Sequence, residues 1–283
     1  MSGSAQVSPH RPAPLPTAWF GDPQARDVLV LAHAFPLTGA MWGDVLARLS
    51  PDVRVAVPEL VAGAPLGEEP SVDRLADGVL AALDEAGVGR AVVAGVSMGG
   101  YVALSITRRH PDRLAGLGLL DTRPDADSAE QAGNRRRIAD AVAAAGSTAE
   151  LARTMPDTLL GATTRAHRPD VVERVRSWIL AADPAGVAWC QRAMAARPDS
   201  TAALARLAER AATAHPVPVL VLVGAEDVTS PPEVARRMAG TAGPGASYVE
   251  VAACGHLSPV EQPAEVAAAL TDLLGRASPD GGR

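Results

Sequence analysis

Lysine is missing from this chain: all 26 of its basic side chains are arginine. That absence excludes Schiff-base catalysis, attachment of pyridoxal phosphate and the phosphate-binding lysine of a P-loop. Cysteine is scarce too. Cys190 and Cys254 are the two present, too few for a disulfide framework and in keeping with a reducing compartment. Aromatic residues amount to 3%, so the few that exist are candidates for pocket walls. No stretch of about 18 consecutive apolar residues occurs, which argues against a membrane-spanning helix. The opening residues, with prolines at 9, 12, 14 and 16, lack an apolar core of signal-peptide length. A soluble, cytoplasmic protein is expected. Positive charge is also in deficit, with a net charge of −6. Nucleic acid is therefore not an expected partner, nor is a membrane. The run Arg135-Arg136-Arg137 is too short to alter that and reads as a solvated helix face. No metal motif is present; Asp125 and Asp127 read as a turn and a helix start.

What the chain does contain is apolar bulk. Its 283 residues, 47% hydrophobic, can bury roughly three quarters of the unfolded surface in one large domain. Short apolar runs at residues 28–32, 53–57, 90–94, 114–120, 217–223 and 248–251 read as strands. Helical periods cover residues 71–86, 101–109, 231–239 and 263–274. Ser230 with Glu233 looks like a start signal for the third of these helices. The alternation predicts an α/β fold, a mostly parallel central sheet flanked by helices. From Asp121 to His215 only helical periods occur, with capping-box patterns at Ser128/Gln131 and Ser147/Glu150. The expected division is a disordered tail at 1–18, a core of 19–121 and 214–275, a helical lid at 122–213 and a flexible tail at 276–283.

Between one predicted strand and the next helix stands Gly95-Val96-Ser97-Met98-Gly99-Gly100. A G-x-S-x-G sequence in that setting describes a nucleophile elbow, a turn so sharp that only glycine fits beside the serine. Alone it is a modest signal, and a serine helix cap would fit as well. A serine hydroxyl needs a base, and the base needs a group to orient it. Of six histidines, His256 sits on a turn just past a strand, where an imidazole can reach across strand ends. His10 lies in the tail, His110 ends a helix, His167 is in the insertion and His215 precedes a strand at the wrong end. His33 reads as a shaper of its loop. Asp227 follows a strand at its carboxyl end, where sites form in open parallel sheets. Its neighbour Glu226, and Asp121 at another strand end, are the rivals; a turn former is the plainer reading of Asp121. The oxyanion hole should combine the N–H of Met98 with one from the loop His33-Ala34-Phe35-Pro36-Leu37, with Phe35 as the donor.

The order Ser97, Asp227, His256 is that of the α/β-hydrolases, and the chain resembles that superfamily. The likeness points to the branch of small esterases and lactonases to which enol-lactonases and carboxylesterases of the BioH type belong. It rests on His33-Ala34-Phe35-Pro36, residues 95–100, Gly224-Ala225-Glu226-Asp227, and Gly255-His256-Leu257-Ser258 followed by Glu261-Gln262-Pro263. It implies the same roles for Ser97, Asp227, His256, Phe35 and Met98, with a helical lid shaping the pocket. Three departures stand out. Ala34 replaces the usual glycine, Pro58-Glu59-Leu60 replaces the D-x-R-G-x-G turn, and the N-terminus looks short for the opening antiparallel hairpin.

The expected function is a metal-free, cofactor-free serine hydrolase cleaving a small carboxylic ester or lactone through an acyl-enzyme on Ser97. The same triad would serve a cofactor-free haloperoxidase, a perhydrolase or a carbon–carbon bond hydrolase, and the fold also hosts non-catalytic ligand-binding proteins. Trp42, Trp178 and Trp189, with Met155 and Met194, are candidate pocket walls; packing of the lid onto the core is the competing reading.

Overall fold

The computed structural model describes residues 12–210 and 217–278. Its strands are β1 (Thr17–Phe20), β2 (Val28–Ala32), β3 (Arg54–Pro58), β4 (Ala91–Val96), β5 (Leu114–Leu120), β6 (Val219–Gly224) and β7 (Ala246–Val251). They form one sheet in the order β1-β3-β2-β4-β5-β6-β7. β1 runs antiparallel to β3, and every other neighbouring pair is parallel. The central strands explain this arrangement. β2, β4 and β6 are buried at every position, and a strand apolar on both faces is stable only between two helical layers.

Those layers come from α1 (Gly43–Leu46), α2 (Val72–Glu85) and α3 (Met98–Arg109), then α4 (Ala129–Ala145), α5 (Ala149–Thr154), α6 (Pro156–Leu159) and α7 (Ala162–His167). They continue with α8 (Pro169–Ala181), α9 (Pro184–Ala195), α10 (Thr201–Arg210), α11 (Pro232–Ala242), α12 (Ser258–Glu261) and α13 (Pro263–Ala277). α1, α12 and α13 pack together on the sheet, and α2, α3, α10 and α11 form the other group. α4 pairs with α9, and α5 and α7 pair with α8. This insertion is docked by contacts that cross to the core: Trp189 Nε1 donates to Glu68 O at 3.1 Å, and Arg174 pairs with Asp44 at 3.0 Å. No helix among the described residues is long and apolar enough to cross a membrane.

Several expectations need correction. The tail does not reach residue 18. Leu15 is buried and its N–H donates to Gly78 O, while Thr17–Phe20 forms the antiparallel edge strand that the N-terminus seemed too short to supply. A proline-rich segment can still dock where its few apolar side chains fit a groove, as Leu15 does against Gly78. The insertion is shorter than 122–213, because α10 packs beside α3 and α11 against the core. The last helix runs to Ala277, past the expected boundary at 276. Of the two capping boxes, Ser128/Gln131 forms with both reciprocal bonds. The Ser147/Glu150 box does not form: Thr148 holds the cap position of α5, the Ser147 hydroxyl accepts the N–H of Ala149, and Glu150 pairs with Arg153. Ser230 does not cap α11 either, since Pro231 holds that position and the Ser230 N–H is taken by Asp227. His10 and His215 lie outside the described residues.

Candidate active site

Four strand ends converge on one edge of the sheet. Ser97 follows β4, Asp121 follows β5, Asp227 comes three residues after β6, and His256 stands on the turn beyond β7. This is the carboxyl edge, where an open parallel sheet leaves a crevice.

Ser97 has φ 54° and ψ −112°, a positive-φ conformation that costs roughly 1–3 kcal/mol for a residue bearing a side chain. Its surroundings enforce it. A Cβ on Gly95 would lie 2.1 Å from the carbonyl carbon of Gly99, and one on Gly99 would lie 2.1 Å from Ala32 O. Gly95 therefore lets β4 meet α3 this closely, and Gly99 lets α3 lie against the end of β2. The turn is tied to β5: Ser97 N–H donates to Leu120 O at 3.0 Å, and Thr122 Oγ1 donates to Ser97 O at 2.8 Å.

The serine hydroxyl, the imidazole and one carboxylate are in hydrogen-bonding series. His256 Nε2 is 2.8 Å from Ser97 Oγ, and Nδ1 is 2.7 Å from Asp227 Oδ2. With the carboxylate ionised, Nδ1–H donates to it and Nε2 accepts from the hydroxyl. The other carboxylate oxygen accepts the N–H groups of Thr229 and Ser230 at 2.8 and 2.9 Å, which fixes the group's orientation. Asp227 and His256 are both buried. Burial by itself pushes the imidazolium down. The Asp227 charge and hydrogen bond, joined by the Asp121 charge, outweigh it and leave His256 above its ordinary value.

The two rival carboxylates are engaged elsewhere. Asp121 accepts from Gly224 N–H and Ser258 N–H, both at 3.0 Å, and so joins the end of β5 to β6 and to the histidine turn. Burial, and then the neighbouring Asp227 charge, push it up to about 7. Glu226 faces α7, where it accepts the backbone N–H and the hydroxyl of Thr163. Glu261 is a further buried brace: it accepts from Gly255, Leu257 and Gly161 N–H, clamping the histidine turn to the start of α7.

Met98 is the first residue of α3, so its N–H has no partner within the helix. Phe35, just past β2, lines the same cavity as Ser97 and His256. His33 holds that loop. Its Nδ1–H donates to Ala34 O at 2.9 Å and its Nε2 accepts Leu60 N–H at 2.8 Å. Complete burial lowers it to about 4, so the ring is neutral, as this pattern of one donor and one acceptor requires. The cavity measures about 270 Å³, and Tyr101, Leu151, Met155, Leu159 and Met194 are among its walls.

A model of the alpha/beta hydrolase family matches residues 29–269. The chain belongs to that family. A thermophilic esterase from Thermogutta terrifontis, solved with malate bound, superposes with a TM-score of 0.83 at 37% identity over 93% of each chain. The enol-lactonase from Burkholderia xenovorans superposes at 0.79 with 25% identity, over 91% of this chain and 95% of the other. A pimeloyl-[acyl-carrier protein] methyl ester esterase of Aromatoleum aromaticum is 36% identical over 100 residues, 35% of this chain and 38% of that protein. Lipase LipV of Mycobacterium tuberculosis is 34% identical over 91 residues, 31% of this chain and 34% of its own length. The chain thus matches little more than a third of the length of these two curated relatives.

In this alpha/beta hydrolase the expected tryptophan walls are not found. Trp42 is fully buried in the core beside α1, Trp189 turns its indole toward Glu68, and Trp178 is half-buried under the Arg174 guanidinium. None of the three lines the cavity beside Ser97. Met155 and Met194 do line it. His110 and His167 are on the outside, away from the serine. Sequence reasoning missed Tyr101, Arg135, Ile138, Gln191 and Thr229, which also border the cavity. For Arg135 a signal existed in the arginine run, but only α4's docking on α9 turns that one side chain inward.

Proposed function

We propose that the chain is a serine hydrolase of small carboxylic esters or lactones, acting without metal or cofactor. The single observation carrying this reading is the hydrogen-bonded series Ser97 Oγ, His256, Asp227, seated at a cavity. Ser97 Oγ attacks the ester carbonyl as His256 Nε2 takes its proton. The resulting imidazolium is held by Asp227. The oxyanion receives hydrogen bonds from the N–H groups of Met98 and Phe35, each contributing about 3 kcal/mol to the transition state. Collapse expels the alkoxide, which takes the proton from His256 and leaves an acyl group on Ser97. In a lactone the alcohol stays tethered to that acyl group. Water then loses a proton to His256 and attacks the acyl carbon, releasing the carboxylic acid and restoring the serine.

Helices α4–α9 act as the lid in this reading, since Arg135, Leu151, Met155 and Leu159 from that insertion roof the serine. The esterase and enol-lactonase among the similar structures support an acyl-transfer chemistry of this kind. A fluorophosphonate probe should label the protein covalently and block ester hydrolysis, and Ser97→Ala should lose both. Labelling that persists in S97A would refute the assignment.

A further inference from the structure

We propose that the cavity beside Ser97 takes an ester or lactone that carries a carboxylate, and that Arg135 binds that carboxylate. This rests on the hydrolase reading above and adds the charge of its substrate.

Arg135 lines the same cavity of about 270 Å³ as Ser97 and His256. A second space of about 210 Å³ continues from it, sharing Arg135, Gln191 and Thr229 among its walls and adding Arg123, Asn134, Gln131 and the acid Asp127. Arg135 thus stands where an apolar chamber at the serine gives way to a polar one. Its Nε donates to Asp127 Oδ2 at 2.5 Å and its Nη1 to Gln191 Oε1 at 3.3 Å. Nη2 donates to no described residue, so one edge of the guanidinium is left for a ligand.

Asp127 does not cancel the charge. Its other oxygen lies 2.8 Å from Arg197 Nη1, and both of those side chains are 4% exposed. One buried carboxylate is therefore shared between two guanidinium groups. Arg123, on the wall of the second space, has Asp125 as its nearest acid at 3.8 Å. Three arginines face two aspartates, leaving one positive charge in surplus. Asp121 and Asp227 lie behind the imidazole and line neither space. A guanidinium already held by Asp127 and Gln191 loses little freedom on binding, and its hydrogen bonds to an anion are charge-assisted. A carboxylate with its single charge matches the single surplus, and a short apolar linker would lie against Ile138 and Met194 between it and the scissile carbonyl.

The test uses monomethyl esters of succinic, glutaric and adipic acids, each against the neutral ester with an isopropyl group in place of the carboxylate. One half-ester should show kcat/KM about tenfold or more above its isostere, as expected for a hydrogen bond to a charged group. That preference should shrink as salt rises. In Arg135→Gln the ratio should fall by about tenfold, with thermal unfolding and fluorophosphonate labelling reporting on the fold. Equal kcat/KM for half-ester and isostere in the wild type would overturn the subsite alone, without recourse to a variant. An unchanged ratio in R135Q would overturn it as well. Failure of the wild type to hydrolyse any of these esters would overturn both readings.

Discussion

His256 lies between two electrostatic demands, and its titration reports how they balance. The imidazole acts as a base only when neutral, and the carboxylates of Asp227 and Asp121 hold its pKa above the ordinary 6.5. The acid limb of kcat/KM is therefore expected to centre above pH 6.5. Asp121→Asn removes one of the two charges and should move the limb toward lower pH; a limb that stays in place would show that Asp121 is not felt at the imidazole. Asp227→Asn has a larger effect. It removes the partner of Nδ1–H and disturbs the tautomer, so kcat should fall by about 10⁴. Steady-state kinetics across pH on the three proteins decide these outcomes.

The elbow between β4 and α3 is a problem of space. Both Gly95 and Gly99 face backbone atoms at distances that no Cβ tolerates. Gly95→Ala should destabilise by about 1–3 kcal/mol or more, since backbone cannot retreat as a side chain would. Urea unfolding measures that loss, and weakened fluorophosphonate labelling would report displacement of Ser97. The loop after β2 depends on a neutral histidine. His33 binds a proton near pH 6.5 in the unfolded chain, whereas burial lowers it to about 4 in the folded one. Stability from this group is full above pH 6.5 and is lost as pH falls through that window, by about 3 kcal/mol at most. The raised His256 contributes with the opposite sign: its stabilisation is present below 6.5 and disappears as pH rises through its folded value. His33→Gln should flatten the decline of the urea midpoint between pH 6.5 and 4. An unaltered slope would locate the acid sensitivity elsewhere.

The molecule as a whole is a sheet that brings loops together and an insertion that roofs them. The roof is fastened to the histidine turn directly, since His256 N–H donates to Leu159 O at 2.9 Å and Glu261 accepts from Gly161. Movement of α6 and α7 would accordingly pull on the imidazole as well as open the cavity. On the proposed mechanism, the size of that cavity limits the acyl group. Among p-nitrophenyl esters of increasing chain length, kcat/KM should peak at short chains and decline for those that outgrow about 270 Å³. Met155→Ala should enlarge the chamber and shift the optimum toward longer chains. An optimum that does not move would mean that the acyl group lies along another wall.

Much of this architecture was legible from local pattern. β2 and β5 coincide with the apolar runs at 28–32 and 114–120, and the Ser71 cap opens α2 where the polar-to-apolar period begins. The elbow serine could be read as well, because two glycines flanking a serine after a buried strand encode a collision that the backbone must avoid. Such signals relate residues a few positions apart. Which carboxylate meets the imidazole is a different matter. Asp121 and Asp227 both follow parallel strands that are neighbours in the sheet, and only the packed loops direct one to His256 Nδ1 and the other to backbone amides. The same holds for Arg135, exposed in any helical projection of its arginine run until α9 covers it, and for Trp189, whose partner Glu68 lies scores of residues away. Short-range sterics and periodicity write the elements into the chain. Contacts across the sheet edge, made only on folding, choose which side chains face the serine.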